Sequence, residues 1–131
     1  MAEQDTPKKV IVVVDDDPTI IELYKRMFAR KGLEVLVARD GEKGLQMIKD
    51  NKPDFVVLDI RMPKLDGLEV LKNVRKDEKV KDTPVLILTN YDLTEYREEV
   101  AQLNAVDFLT KVGTDPGALV ERVTSFLSSK K

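Results

Sequence analysis

Three consecutive aspartates, Asp15, Asp16 and Asp17, follow directly on the β-branched run VIVVV. Adjacent carboxylates repel and are poor strand residues, so their crowding needs a reason. Asp17 has a structural one. Followed by Pro18, it reads as a helix N-cap with proline at the first helical position. Asp15 and Asp16 have no such duty in the pattern. Similar endings recur along the chain: FVVL runs into Asp59, VLIL into Thr89, and DFL into Thr110 and Lys111. One Asp at a strand end usually caps a helix or turn, and one Lys there is usually a solvated surface residue. The informative feature is the set: an acidic pair, a single Asp, a hydroxyl and a Lys at the ends of successive apolar runs. If the first and third runs are neighbours, Asp15, Asp16 and Asp59 converge. Unit charges about 4 Å apart repel by roughly 4 kcal/mol at an effective dielectric near 20, so such a cluster needs protonation or a bound cation.

Composition narrows the chemistry. The chain has no Cys, which excludes disulfides, thiolate metal sites and a Cys nucleophile, and no His, which removes imidazole from acid–base and metal chemistry. Any metal must be held by oxygen, which points to a hard cation such as Mg²⁺. The 131 residues suit one domain, with 42% hydrophobic and 35% charged residues, an ordinary folded balance. A net charge of −2 lacks the basic excess of a nucleic-acid module. No apolar run reaches membrane-spanning length and no secretory signal precedes the first strand, so the expectation is a cytoplasmic protein without membrane association.

The elements that must position these residues alternate. Strands are predicted over 9–14, 34–38, 55–58, 85–88 and 107–109; the first, third and fourth are continuous apolar runs, as in strands covered on both faces. Helix patterns lie between and after them. The first starts at Asp17-Pro18, carries Ile20, Leu23, Tyr24, Met27 and Phe28 as its apolar stripe and stops at Gly32. The second opens at Asp40-Gly41 with Leu45 and Ile48 inward, and the third buries Leu68, Leu71 and Val74. Asp92 and Glu95 form a capping box for the fourth, which ends near Asn104. The fifth starts at Asp115-Pro116 and buries Leu119, Val120, Val123, Phe126 and Leu127. The ends, 1–8 and 128–131, are expected to be loose. Five β–α units in this order imply a doubly wound α/β fold, a parallel sheet with right-handed crossovers and helices on both faces. Ligands bind such sheets beyond the carboxyl ends of the strands, where the acidic pair, Asp59, Thr89 and Lys111 fall.

The chain resembles the receiver domains of bacterial two-component response regulators over nearly its full length. VDDDP matches that family's acidic pair, VVLDIRMPKLDG its phosphoacceptor segment, LILTN its hydroxyl and DFLTK its Lys. The stretch through Asp59, Met62-Pro63 and Asp66-Gly67 is highly specific. The resemblance implies a flavodoxin-like, CheY-like (βα)5 fold with strand order 2-1-3-4-5, and a single receiver domain over 1–131 with its core at about 8–128. It implies that Asp59 accepts a phosphoryl group and that Mg²⁺ is held by Asp16 directly, Asp15 through water, Asp59 and the backbone carbonyl of Arg61. Lys111 and Thr89 would then neutralise the transferred group, and Thr89 and Phe108 would form the switch.

Two positions depart from the family's usual pattern. Lys111 is followed by Val112 where Pro is common, and since a non-proline cis bond costs about 3–4 kcal/mol, a trans bond is expected. Asn90 stands after Thr89 where a small residue is usual; Asn90 and the adjacent Tyr91 are candidate modulators of phosphoryl lifetime. Without His the chain cannot be its own phosphohistidine donor. The implied partners are therefore a sensor histidine kinase or histidine phosphotransfer protein, and a downstream protein reading the face of the fourth helix, fifth strand and fifth helix. A monomer or weak dimer is expected, with no output domain, either standing alone or excised from a longer regulator or hybrid kinase. The chain would catalyse only its own phosphorylation and dephosphorylation. Two other classes compete: a receiver-like adaptor that works without phosphorylation, and a small phosphohydrolase with an Asp nucleophile. The complete five-residue set weighs against the first, and the absence of an Asp-x-Asp motif at Asp59 against the second. A flavin carrier is weaker, since no Ser/Thr/Gly-rich phosphate loop follows the first strand.

Overall fold

The computed structural model of the chain describes residues 8–90 and 94–129. Tyr91, the Asp92 half of the expected capping box, and residues 1–7 and 130–131 of the chain ends lie outside them. Strands β1 (Val10–Val14), β2 (Glu34–Ala38), β3 (Phe55–Leu58), β4 (Val85–Thr89) and β5 (Asp107–Thr110) alternate with helices α1 (Pro18–Arg30), α2 (Gly41–Asn51), α3 (Gly67–Lys76), α4 (Thr94–Gln102) and α5 (Pro116–Ser129). All pairings are parallel, in the order β2-β1-β3-β4-β5. The doubly wound fold and strand order expected from the sequence are those found. β4 and β5 each run one residue further than the apolar pattern, to Thr89 and Thr110, because these two still pair with each other. Backbone pairing does not require apolar side chains, so the ladder outlasts the hydrophobic run.

Alternate strand residues serve two cores. Val12, Val14, Val56, Leu58, Val85 and Ile87 pack with Ile48, Leu71, Val74 and Val100 of α2, α3 and α4. Ile11, Val13, Phe55, Val57, Leu86 and Leu88 pack with Tyr24, Phe28, Leu119, Val123 and Leu127 of α1 and α5. One element of the α1 stripe differs. Ile21 is buried and Leu23 lies at the surface; α1 meets the second core through Tyr24 and Phe28, with Ile20 and Met27 partly buried against it.

The helix ends follow the capping logic. Asp17, Asp40, Asp66 and Asp115 accept from backbone N–H groups of Thr19, Lys43, Glu69 and Ala118. Gly32 (φ 83) and Asn104 (φ 60) take left-handed conformations after α1 and α4. No helix among the described residues is long and apolar enough to cross a membrane.

At the end of the sheet remote from the aspartates, Arg75 ties three segments together. Its guanidinium donates to the carbonyls of Leu103 (2.7 Å), Lys81 (2.8 Å), Thr83 (2.7 Å) and Asn104 (3.3 Å). This joins the end of α3 to the turn after α4 and to the loop that feeds β4. Lysine keeps the charge but not the planar fork. Arg75→Lys should therefore lower stability by about 2 kcal/mol, the scale of losing charge-assisted hydrogen bonds, read as the midpoint of urea unfolding.

Candidate functional site

The ladder carries the site residues past the ends of the strands. Asp15 N–H donates to Ala38 O (3.0 Å), Asp59 N–H to Val14 O (3.0 Å) and Lys111 N–H to Thr89 O (2.8 Å). Asp15 and Asp59 thus emerge side by side from β1 and β3, with Thr89 ending β4 and Lys111 following β5. Asp15 is 2% exposed, Asp59 4% and Thr89 0%, whereas Asp16 faces solvent.

Lys111 reaches across the end of β4 into the carboxylates. Its ammonium lies 2.7 Å from Asp15 Oδ2 and 3.2 Å from Asp59 Oδ2, and its side chain is 6% exposed. One carboxylate oxygen from each of Asp15, Asp16 and Asp59 falls within 4.8 Å of the others. Asp59 Oδ1 and Thr89 Oγ1 are buried without a hydrogen-bond partner among the described residues. Groups of this kind cost free energy unless a ligand engages them. Three oxygen donors, one of them unpartnered, suit a small hard divalent cation, so the residues present fit Mg²⁺.

The charges have measurable consequences. Burial pushes the Asp15 carboxyl up to about 6; the hydrogen bond from Lys111 and the N–H of Asp17 oppose this, and the charge of Asp59 adds to it. Burial acts to lower the Lys111 pKa, yet the hydrogen bonds and charges of Asp15 and Asp59 outweigh it and hold the value above the usual one.

Beside the site, the Phe108 ring is 8% exposed, and the Arg97 guanidinium sits 4.7 Å from its centroid. Among the described residues there is no cis peptide bond, so Lys111–Val112 is trans as expected, and Val112 is 89% exposed. Asn90 is exposed immediately after Thr89.

The structure brings together Asp15, Asp16, Asp59, Thr89 and Lys111, with Arg61 in the loop after β3, and puts Tyr91 outside the described residues. Sequence reasoning missed two things. Asp15 also has a local duty, since its Oδ1 accepts from the N–H of Asp17 (2.9 Å) in an Asx turn that leads into α1. Arg97 reads in sequence as one of many charges on a polar helix, and only the packing of α4 on β5 places it over Phe108.

A doubly wound sheet with an acidic cluster, a hydroxyl and a buried Lys at its carboxyl edge defines an α/β protein with a polar, charged site at the strand ends. Residues 11–124 match the response regulator receiver domain family, and the chain belongs to it. It is 40% identical over 103 residues to the alkaline phosphatase synthesis transcriptional regulatory protein PhoP of Bacillus subtilis (strain 168), covering 79% of this chain and 42% of that protein. It is 42% identical over 101 residues to the response regulator MprA of Mycobacterium sp. (strain KMS), covering 77% and 43%. The chain therefore spans less than half the length of these curated relatives. Among solved structures, the receiver domain of the Francisella response regulator 1452 superposes with a TM-score of 0.83 at 35% identity, covering 95% of this chain and 100% of that one. A CheY-like receiver domain protein from Methanospirillum hungatei JF-1 gives a TM-score of 0.85 at 25% identity, covering 93% and 95%.

The raised Asp15 pKa fixes a pH dependence for the metal-free protein. The folded state holds this proton more tightly than the unfolded chain, whose value is near 3.8. The resulting stabilisation is complete below the unfolded value and is lost as pH rises through about 6. In the presence of EDTA, Asp15→Asn should gain stability relative to wild type between pH 4 and pH 7, by on the order of 2 kcal/mol. Urea unfolding of both proteins across that range measures it; parallel profiles would contradict the assignment.

Proposed function

We propose that this receiver is a phosphoacceptor switch of a two-component phosphorelay, working in the cytoplasm as one domain and as a monomer or weak dimer. Asp59 takes a phosphoryl group from a phosphohistidine carried by a sensor histidine kinase or histidine phosphotransfer protein. The observation that carries this reading is that Asp59, ion-paired to Lys111, keeps its Oδ1 buried without a partner, as does Thr89 its Oγ1 at the end of the neighbouring strand.

A carboxylate oxygen of Asp59 attacks phosphorus in line with the donor's P–N bond. The O–P bond forms as the P–N bond breaks, and the electron pair leaves on the donor imidazole. Asp15, Asp16, Asp59 and the backbone carbonyl of Arg61 would hold Mg²⁺, which when bound supplies charge neutralisation for the phosphoryl oxygens. Lys111 neutralises a second side of the group, and the Thr89 hydroxyl donates to a third.

Thr89 and Phe108 make the switch. Movement of the Thr89 hydroxyl toward the phosphoryl group opens space for the Phe108 ring and shifts a pre-existing equilibrium. The change is read by a protein partner on the α4–β5–α5 face, to which Arg97 and Asp107 belong. Asn90, exposed just beyond Thr89, and Tyr91, next in the sequence, modulate how fast the group is gained and lost. The chemistry is confined to the chain's own modification.

Two measurements test the reading. Incubation with Mg²⁺ and acetyl phosphate should add one phosphoryl group by intact mass, and Asp59→Asn should add none. Addition to Asp59→Asn at the wild-type rate would identify a different acceptor. Mg²⁺ at about 100 times its Kd should stabilise the wild type by about 2.7 kcal/mol in thermal unfolding. Asp16→Asn should abolish that shift, whereas Asp17→Asn should keep it, because Asn also caps a helix.

A further inference from the structure

The loop after β3, which carries Asp59 and Arg61, is held in an unusual conformation. Lys64 has φ 73, and Leu65 N–H donates to Pro63 O at 2.8 Å, closing a γ-turn around a non-glycine residue in the left-handed region. Such turns are strained and persist only where the surroundings over-determine them. Two glycines do so here, one at each side of the loop.

Gly67 begins α3, and its N–H donates to Ile60 O at 2.7 Å. A methyl group on it would lie 2.0 Å from the carbonyl oxygen of Asp59 itself. Gly41 begins α2 and comes from a distant part of the chain. A methyl group there would lie 1.7 Å from Leu65 O and 2.5 Å from its carbonyl carbon. Both obstacles are backbone, so neither can turn aside as a side chain would. Gly41 is itself fixed: Asp40, 8% exposed, caps α2 by accepting from Lys43 N–H at 2.8 Å, and Ala38 at the end of β2 accepts from the N–H of Asp15. The start of α2 is thus tied to the same sheet edge as the acidic cluster.

We propose that Gly41 is a positioning residue for the phosphoacceptor site: the close contact of its bare backbone with Leu65 sets the 59–66 loop and, through it, the Asp59 carboxylate and the Arg61 carbonyl. The inference rests on the reading of those groups as cation ligands. Gly41 touches neither cation nor phosphoryl group and acts only through the loop.

The same helix supplies the control. A methyl group on Gly44 would lie 2.6 Å from Val14 Cγ1, a milder clash against a core side chain rather than the loop. Thermal unfolding across a Mg²⁺ titration gives the metal-free midpoint and the Mg²⁺ affinity from one experiment. Gly41→Ala should weaken Mg²⁺ about tenfold, the scale on which displaced ligand supports act. Gly44→Ala should lower the metal-free midpoint and leave the affinity unchanged. Equal loss of affinity in both, or unchanged affinity in Gly41→Ala, overturns the proposal. Should Gly41→Ala fail to fold, amide exchange on the wild type decides. Mg²⁺ should slow exchange at Leu65 and at Gly44, whose N–H donates to Asp40 O, but not at Lys52, whose N–H donates to Ile48 O. No slowing at the start of α2 overturns it. A wild type that gives no Mg²⁺ response at all overturns the cation site and this inference together, whereas a normal response with an indifferent Gly41→Ala overturns this inference alone.

Discussion

The arrangement on which the rest of the structure depends is a single buried ammonium shared by two buried carboxylates. Lys111 lies within hydrogen-bonding or ion-pair distance of both Asp15 and Asp59, and all three side chains are 6% exposed or less. Taking three charged groups from water is costly, and their mutual attraction offsets that cost only in part. The cluster also carries one negative charge more than Lys111 can cancel, before Asp16 is counted. A fold selected for stability alone would have little use for this. Burial first, and the Asp59 charge in addition, leave Asp15 reluctant to ionise, and the three carboxylates together fit a hard cation.

Holding those groups together constrains the sheet. Asp15 and Asp59 are adjacent because β1 pairs with β3, and Lys111 must then arrive from β5 across the end of β4. Thr89, at the end of β4, has its hydroxyl buried. Ladder bonds continue beyond β1, β3 and β5, so Asp15, Asp59 and Lys111 stand on hydrogen-bonded backbone while Asp16, Asn90 and Val112 face solvent. The buried first group is fixed by the backbone, and the exposed second group forms the outer face of the same edge.

The two cores divide the labour. α1 and α5 cover one face, and α2, α3 and α4 the other. Phe108 belongs to the second core, yet its ring meets the guanidinium of Arg97 at the surface. It therefore links the core beneath the sheet to a charged group on the surface of α4. A phenylalanine ring brings no hydroxyl to a partner, so any surface signal at this position comes from shape and from the Arg97 charge. The similarity to receiver domains reaches across nearly the whole chain, while Val112 and Asn90 depart from the common family pattern at the rim of the site. Both departures lie in exposed positions beyond the ends of β4 and β5, outside the packed sheet.

Much of this was legible in the sequence. Apolar runs and helix stripes with Asp-Pro, Asp-Gly and Gly signals determined five β–α units, because periodicity and capping are local properties. The absence of His and Cys determined that any metal would meet oxygen. The motifs around Asp15, Asp59, Thr89 and Lys111 were enough to name the family and the candidate residues. What the sequence could not determine depends on which distant surfaces meet. The stripe read on α1 counted Leu23 and passed over Ile21, whereas the folded chain leaves Leu23 at the surface and buries Ile21. Arg97 became distinct from its charged neighbours only when α4 settled on β5. Gly41 reads as an ordinary residue after an N-cap, and only the approach of Leu65, from a loop more than twenty positions later in the chain, leaves no room there for a side chain. Local pattern selects the elements; non-local contact, which leaves no periodic trace in the chain, decides which of their residues are pressed into service.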